Sequence, residues 1–73
     1  MYLMQNRNAD AIEALSRAVA LDPSLANAHN GLGVAYARQG DKSRATEEWR
    51  QALALRPDLV DARDNLERIR AQK

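Results

Sequence analysis

The 73-residue chain has no cysteine, one histidine, two tyrosines, one tryptophan and no phenylalanine, and each scarcity excludes a class of site. Without cysteine, neither a disulfide framework nor a thiolate metal site can form. A zinc site with a single histidine would depend almost entirely on carboxylates, which is atypical for zinc. So few aromatic side chains do not make a platform on which nucleic-acid bases stack. We therefore expect neither a metal nor a cofactor.

The chain also lacks an excess of one charge and any long apolar run. Eleven basic and ten acidic residues give a net charge of +1, whereas a nucleic-acid-binding domain usually shows a strongly basic face. No apolar segment approaches the roughly 20 residues that span a bilayer, and Asn6, Arg7, Asn8 and Asp10 interrupt the start of the chain, where a signal peptide would be apolar. These features predict a soluble, cytoplasmic protein that binds neither nucleic acid nor membrane.

Three glycines in the segment NGLGVAYARQG, residues 30–40, resemble the start of a phosphate-binding loop. A dinucleotide-binding G-x-G-x-x-G motif follows a strand, and its third glycine would fall on position 36, which is Tyr36. The chain before this segment reads as a helix that ends at a proline. We therefore expect these glycines to serve helix packing and capping.

Alanine, leucine, glutamate, arginine and glutamine dominate the composition and favour helix throughout. Proline cannot continue a helix, so Asp22-Pro23 and Arg56-Pro57 are predicted boundaries. Gly40 is predicted to end one helix in the left-handed conformation, and Asp41 to cap the next. With a further break at Asn6–Asn8, the sequence predicts a short helical end at Met1–Gln5 and helices over 9–21, 25–39, 42–55 and 59–72.

The apolar residues of the chain recur with a period of 34. A helix–turn–helix unit with this period is the signature of a solenoid, in which each unit buries its apolar face on the next. The correspondence places Ala45, Trp49, Ala52, Leu55, Pro57 and Leu59 on Ala11, Leu15, Ala18, Leu21, Pro23 and Leu25.

Residues 26–59 resemble one tetratricopeptide repeat from end to end, with His29 where a large apolar residue is common. Residues 1–25 look like the last two thirds of a preceding repeat, and 60–73 like the first helix of a following one. The resemblance covers the whole chain as a single domain and implies an all-α, right-handed antiparallel solenoid of helix hairpins. The family positions are occupied by Leu32, Gly33, Tyr36, Gly40, Ala45, Trp49, Ala52 and Pro57.

Within the complete repeat, Gly33 is predicted to lie opposite Ala45, where the missing Cβ lets two backbones approach closely. No packing role is predicted for Gly31, which should reduce helix stability by about 1 kcal/mol. The first helix of this repeat is expected to pack through Ala28, Leu32, Ala35 and Tyr36.

The last helix has one apolar stripe, Ala62, Leu66 and Ile69, predicted to face the helix over 42–55. The positions equivalent to His29, Gly33 and Tyr36 are charged here, so residues 60–73 are predicted to form a capping helix, as solenoids need for solubility. The charged positions are Arg63, Glu67 and Arg70.

The N-terminal edge has no comparable cap, because Met1–Gln5 is too short to cover a four-turn helix. A solenoid usually needs about three repeats, and this chain has about two. We therefore expect either a longer array or self-association. The predicted self-association edge consists of Tyr2, Leu3, Met4, Ile12 and Leu15.

No residue pattern predicts catalysis. His29 is more consistent with an interface position than with a triad, since Asp41 and Ser43 lie at the far end of its helix. Glu47 and Glu48 are adjacent on a helix and point in different directions, so both are expected to be solvated. We therefore predict that the protein is not an enzyme.

In proteins similar to this one, the concave wall holds an extended peptide or a partner helix. Arg38 and Arg68 are suited to carboxylates, whereas Asp61 and Asp64 favour a basic or amide-bearing segment. The alternative is that these side chains only solvate the helices, and the C-terminal arginines only suit the helix dipole. The matching positions are Asn27, Asn30, Val34, Ala37 and Arg38, then Asp61, Asp64, Arg68 and Gln72.

One subset of the family clamps acidic C-terminal tails, but the residues of that clamp are not carried over. Its asparagine falls on Gly31, and its lysine and arginine on Asp61 and Asn65.

The leading hypothesis is a non-catalytic module that binds a peptide or helix of a partner protein. The alternative is a structural module that assembles into dimers or longer arrays through its N-terminal edge. An RNA-binding helical repeat is disfavoured by the near-zero net charge.

Overall fold

The computed structural model describes the backbone of residues 2–71 and the side chains of residues 9–71. This part of the chain is entirely α-helical with short connections, and it contains no strand. Each helix packs against its neighbour in sequence, and α2 also touches α4. Short loops make sequential helices antiparallel, so the predicted all-α hairpin fold is confirmed. The helices are α1 (Tyr2–Leu21), α2 (Ala26–Arg38), α3 (Lys42–Leu55) and α4 (Val60–Ala71).

The first helix corrects the predicted break at Asn6–Asn8, since α1 is continuous from Tyr2 to Leu21. In the next repeat the equivalent turn lies at Gly40-Asp41, where glycine and an N-capping carboxylate end one helix and start another. Thirty-four residues earlier, these positions hold Asn6 and Arg7. Neither residue provides that turn, and arginine favours helix. The remaining helix ends fall within one residue of their predicted positions, where the chain is described.

The turn between α2 and α3 explains why Gly40 is required. Gly40 has φ +87°, a conformation that costs other residues about 1–2 kcal/mol. Its N–H donates to the Ala37 carbonyl at 3.0 Å, and the N–H of Asp41 donates to the Tyr36 carbonyl at 2.9 Å, the two bonds of a Schellman motif. The Asp41 carboxylate then accepts from the Arg44 N–H at 3.2 Å. The two predicted caps are thereby confirmed.

Small residues allow α3 and α4 to pack closely. Ala45, Ala52 and Ala62 have no exposed surface, and they form one cluster with Trp49 and Ile69. Leu66 packs against this cluster, as the apolar stripe of the last helix predicts. The opposite face of α4 is exposed at each of its predicted charged positions, Arg63, Glu67 and Arg70.

Gly33 faces a different residue from the one predicted. A Cβ built on Gly33 would overlap the indole of Trp49, with Cδ1 and Cε2 each only 2.6 Å away. The predicted neighbour Ala45 lies one helical turn before Trp49 on α3. Because Gly33 has no Cβ, the indole ring can pack directly against the backbone of α2.

Gly31 also has a packing partner, contrary to the sequence-based expectation. A Cβ on Gly31 would lie 3.0 Å from Cδ1 of Leu15 on α1. Leu15 is only half-buried, so its side chain has room to move. Gly31 thus marks the contact between α1 and α2, where a small residue is favoured but not strictly required.

Candidate functional site

A cleft of about 230 Å³ lies where the C-terminal halves of α2 and α4 flank α3. Because α2 and α3 are antiparallel, as are α3 and α4, the two flanking helices run in the same direction. Their side chains therefore converge on a common groove. The cleft is lined by Val34, Ala37, Arg38, Lys42, Trp49, Asn65, Arg68 and Ile69.

The floor of the cleft is apolar and well packed. Trp49 is 3% exposed and Ile69 8% exposed, and Val34 and Ala37 are half-buried beside them. The indole Nε1 of Trp49 donates to the Asn30 carbonyl at 3.2 Å. This bond satisfies the only polar atom of the ring, so the floor offers a ligand apolar contact alone.

The rim of the cleft is positively charged. Arg38, Lys42 and Arg68 are all exposed, and no carboxylate of the described residues lines the cleft. Within the described side chains, the ion pairs are Arg17–Glu13 and Arg44–Asp41, and Glu48 contacts His29. None of these pairs includes one of the three cations of the rim.

Two asparagines connect α2 and α4 at the inner end of the cleft. The Asn65 Nδ2 donates to the Asn30 Oδ1 at 3.2 Å. This hydrogen bond fixes the orientation of both amides. The Asn65 carbonyl oxygen stays available as an acceptor, and each amide nitrogen has further donor capacity.

The predicted groove residues divide into two groups. Val34, Ala37, Arg38 and Arg68 line the cleft, and Asn30 adjoins it through Asn65. Asn27, Asp61 and Asp64 are exposed on the N-terminal parts of α2 and α4, outside the cleft lining. Gln72 lies outside the described residues.

Four lining residues were missed by the sequence analysis: Lys42, Trp49, Asn65 and Ile69. The sequence identifies Trp49 only as an apolar repeat position and Ile69 only as part of an apolar stripe, and Lys42 belongs to a helix outside the predicted wall. The sequence did carry a signal for Asn65, because this residue lies at the position where the acidic-tail clamp of the family has its arginine.

His29 and Glu48 form a structural pair, which corrects the expectation that Glu48 is solvated. The His29 Nδ1 is hydrogen-bonded to the Glu48 Oε1 at 2.9 Å, and its Nε2 donates to the Pro23 carbonyl at 3.1 Å. The side chains are 12% and 24% exposed. One imidazole therefore connects α2, α3 and the loop after α1. No cluster of three metal-ligating side chains occurs within the described residues.

Truncating this pair is expected to destabilise the fold. We predict that Glu48→Ala lowers the free energy of unfolding by about 1–2 kcal/mol, because it leaves a half-buried imidazole nitrogen without its partner. The neighbouring Glu47 is exposed, so Glu47→Ala should change it by less than about 0.5 kcal/mol. Urea titration of both variants checks this, and equal effects would contradict the structural role of the pair.

Among the described elements, α1 packs against α2 alone. Ile12 and Leu15 on this helix are half-buried, and Leu15 contacts the α2 backbone at Gly31. The side chains of Tyr2, Leu3 and Met4, also assigned to the self-association edge, lie outside the described residues. None of the described helices is long and apolar enough to cross a membrane.

The helix hairpins, the 34-residue period and the Gly33–Trp49 contact indicate one repeat family. A family model described as TPR repeat matches residues 1–40, and one described as tetratricopeptide repeat matches residues 26–59. The chain belongs to the tetratricopeptide repeat family. Comparison with curated proteins gave no match. Tetratricopeptide repeats are generally protein–protein interaction modules, and the cleft between α2 and α4 is a concave surface of this one with an apolar floor.

Proposed function

We propose that this tetratricopeptide repeat protein binds a peptide or helix of a partner protein in the cleft between α2 and α4, without catalysing a reaction. The observation that carries the proposal is the apolar floor at Trp49 and Ile69, beneath a polar rim open to solvent. Binding sites commonly combine a buried apolar anchor point with polar groups that fix the orientation of the ligand.

The size of the cleft favours a peptide over a small-molecule cofactor. Small-molecule pockets usually enclose about 300–1,000 Å³, whereas this cleft holds about 230 Å³. It therefore suits one or two side chains of a longer ligand. The rest of such a ligand would extend along the groove past Asn30 and Asn27, toward Asp61 and Asp64.

A display library of random peptides tests this proposal. Selected peptides should bind the wild type and be excluded by Val34→Trp, which fills the cleft from α2. Val60→Trp adds the same side chain at an exposed position, 61% accessible, outside the cleft, and should retain binding. Circular dichroism verifies that both variants are folded. Peptides that bind Val34→Trp as well as the wild type, or a failure to select any peptide, would contradict the proposal.

We also propose the division of the domain into a truncated repeat (1–25), a complete repeat (26–59) and a capping helix (60–73). The buried and exposed faces of α4 support the last assignment. Ala62 and Ile69 face the core, while Arg63, Glu67 and Arg70 face solvent. A polar outer face is what a terminal helix of a solenoid requires.

The second candidate function is self-assembly through α1. The supporting observation is that α1 packs against α2 alone among the described helices, with Ile12 only half-buried. Sedimentation over a concentration series should show an oligomer that Ile12→Lys dissociates and Ala14→Lys, at an exposed position of the same helix, does not. A strictly monomeric wild type would rule this function out.

A further inference from the structure

We infer that the cleft recognises an acidic side chain adjacent to an apolar one in an extended peptide segment. The apolar side chain contacts the floor at Trp49, and the neighbouring carboxylate lies between the cations of the rim. This inference rests on the proposed function and specifies the chemistry of the partner.

The charge of the rim is local and does not reflect the chain as a whole. Eleven basic and ten acidic residues nearly balance over the sequence, yet the described residues that line this cleft include three cations and no carboxylate. Arg38, Lys42 and Arg68 come from three different helices, and the described ion pairs include none of them. The convergence of like charges on one small surface favours an anionic ligand.

Helix stability accounts for two of the three cations but not for the third. Arg38 and Arg68 lie in the last turns of α2 and α4, where a cation interacts favourably with the helix dipole. Lys42 is the first residue of α3, where the dipole disfavours a positive charge. A bound carboxylate would interact favourably with Lys42 and with that end of α3.

The side chains of the cleft match a peptide in particular. Each arginine can hold a carboxylate through two parallel N–H···O bonds. Asn65 presents a carbonyl oxygen and amide hydrogens that can bond to a peptide backbone, and its orientation is fixed by Asn30. Since the indole N–H already donates to the Asn30 carbonyl, the floor selects apolar side chains. An acidic residue next to an apolar residue satisfies all of these groups together.

Four peptides of equal length, acetylated and amidated to remove terminal charge, test the chemistry. Their central sequences are leucine-glutamate-aspartate, leucine-glutamine-asparagine, serine-glutamate-aspartate and leucine-lysine-lysine. Anisotropy of a labelled peptide gives the affinity. Emission of Trp49, the single tryptophan of the chain, reports whether binding occurs at the cleft.

The first peptide should bind about tenfold more tightly than the second, with a change in Trp49 emission, and the other two should be weaker still. Raising the salt concentration from about 50 mM to about 500 mM should reduce this preference, because the rim is solvent-exposed. Equal affinity for the acidic and the amide peptides would overturn the inference.

Charge-matched double variants locate the carboxylate. Arg38→Gln with Arg68→Gln should reduce affinity for the acidic peptide about tenfold and leave the amide peptide unchanged. Arg63→Gln with Arg70→Gln removes the same charge from the opposite face of α4 and should change either affinity less than about twofold. Equal losses in the two variants would overturn the inference, because they would show only a response to net charge. If the first pair fails to fold, Lys42→Gln alone provides the same comparison, with Arg63→Gln as its control.

The outcomes also separate this inference from the proposed function. If the amide or the lysine peptide binds best and changes Trp49 emission, the cleft is a peptide site of different chemistry, and only the inference falls. If no library peptide binds at the cleft, the proposed function falls as well. A single-stranded oligonucleotide serves as the test for nucleic acid. If it binds more tightly than the acidic peptide and loses affinity for the Arg38→Gln, Arg68→Gln variant, the inference is overturned in favour of nucleic acid.

Discussion

Replacing Gly33 by alanine should destabilise the protein by about 2 kcal/mol, although alanine is the better helix former. The new Cβ would overlap the indole of Trp49, which is buried and held by its bond to the Asn30 carbonyl. Overpacking typically costs about 1–3 kcal/mol, and overlap with a buried ring lies at the upper end of this range. The gain in helix propensity offsets only about 1 kcal/mol.

Gly31→Ala is the matched control, because it makes the same substitution two residues earlier in the same helix. The gain in propensity is identical, but the new Cβ meets the terminal carbons of half-buried Leu15 rather than a fixed ring. We expect its free energy of unfolding to stay within about 1 kcal/mol of the wild type. Urea titrations of both variants measure the difference, and equal stability of the two would contradict the close contact between Gly33 and Trp49.

Replacing Trp49 by alanine should have the largest effect of any single substitution proposed for this chain. Removal of a buried tryptophan costs about 3–5 kcal/mol. At about 0.05–0.15 kcal/mol per residue, a domain of this size has a total stability of about 4–11 kcal/mol. We therefore expect the thermal midpoint of Trp49→Ala to fall by at least about 12 °C, as measured by far-ultraviolet circular dichroism during thermal denaturation.

Trp49→Phe is the informative companion to this variant. Phenylalanine keeps most of the apolar contact with Ile69 and with the backbone at Gly33, but it cannot donate to the Asn30 carbonyl. It should remain folded, with a loss of about 1–2 kcal/mol. A Trp49→Ala variant as stable as Trp49→Phe would show that the ring is not the centre of packing between α2, α3 and α4.

Most of the fold follows from the sequence, because the residues that separate the helices are ones that regular helix disfavours. Pro23, Gly40 and Pro57 cannot lie within regular helix without penalty, so they mark the connections in the order observed. The predicted break at Asn6–Asn8 was wrong because asparagine tolerates a turn without requiring one. With neither glycine nor proline there, the intervening arginine and the neighbouring helical residues are sufficient for α1 to continue.

The cleft was predicted less completely, because helical spacing shows on which face of a helix a residue lies but not how deeply its side chain is buried. Val34, Arg38 and Arg68 follow from their positions on the predicted concave wall. Trp49 reaches that wall only because Gly33 admits its ring between the helices, a contact that depends on the distance between two backbones. Lys42 reaches it because the tight turn at Gly40 brings the start of α3 beside the end of α2.

We propose that this repeat protein binds its partner in the cleft between α2 and α4. Nuclear magnetic resonance titration of the ¹⁵N-labelled chain with a library-selected peptide tests it most directly, since each amide reports its own environment. Binding in the cleft should concentrate the shifts at the Trp49 indole N–H and at the backbone amides of Val34, Arg38, Lys42 and Arg68. Shifts concentrated on α1, or on the exposed face of α4 at Arg63 and Glu67, would contradict it.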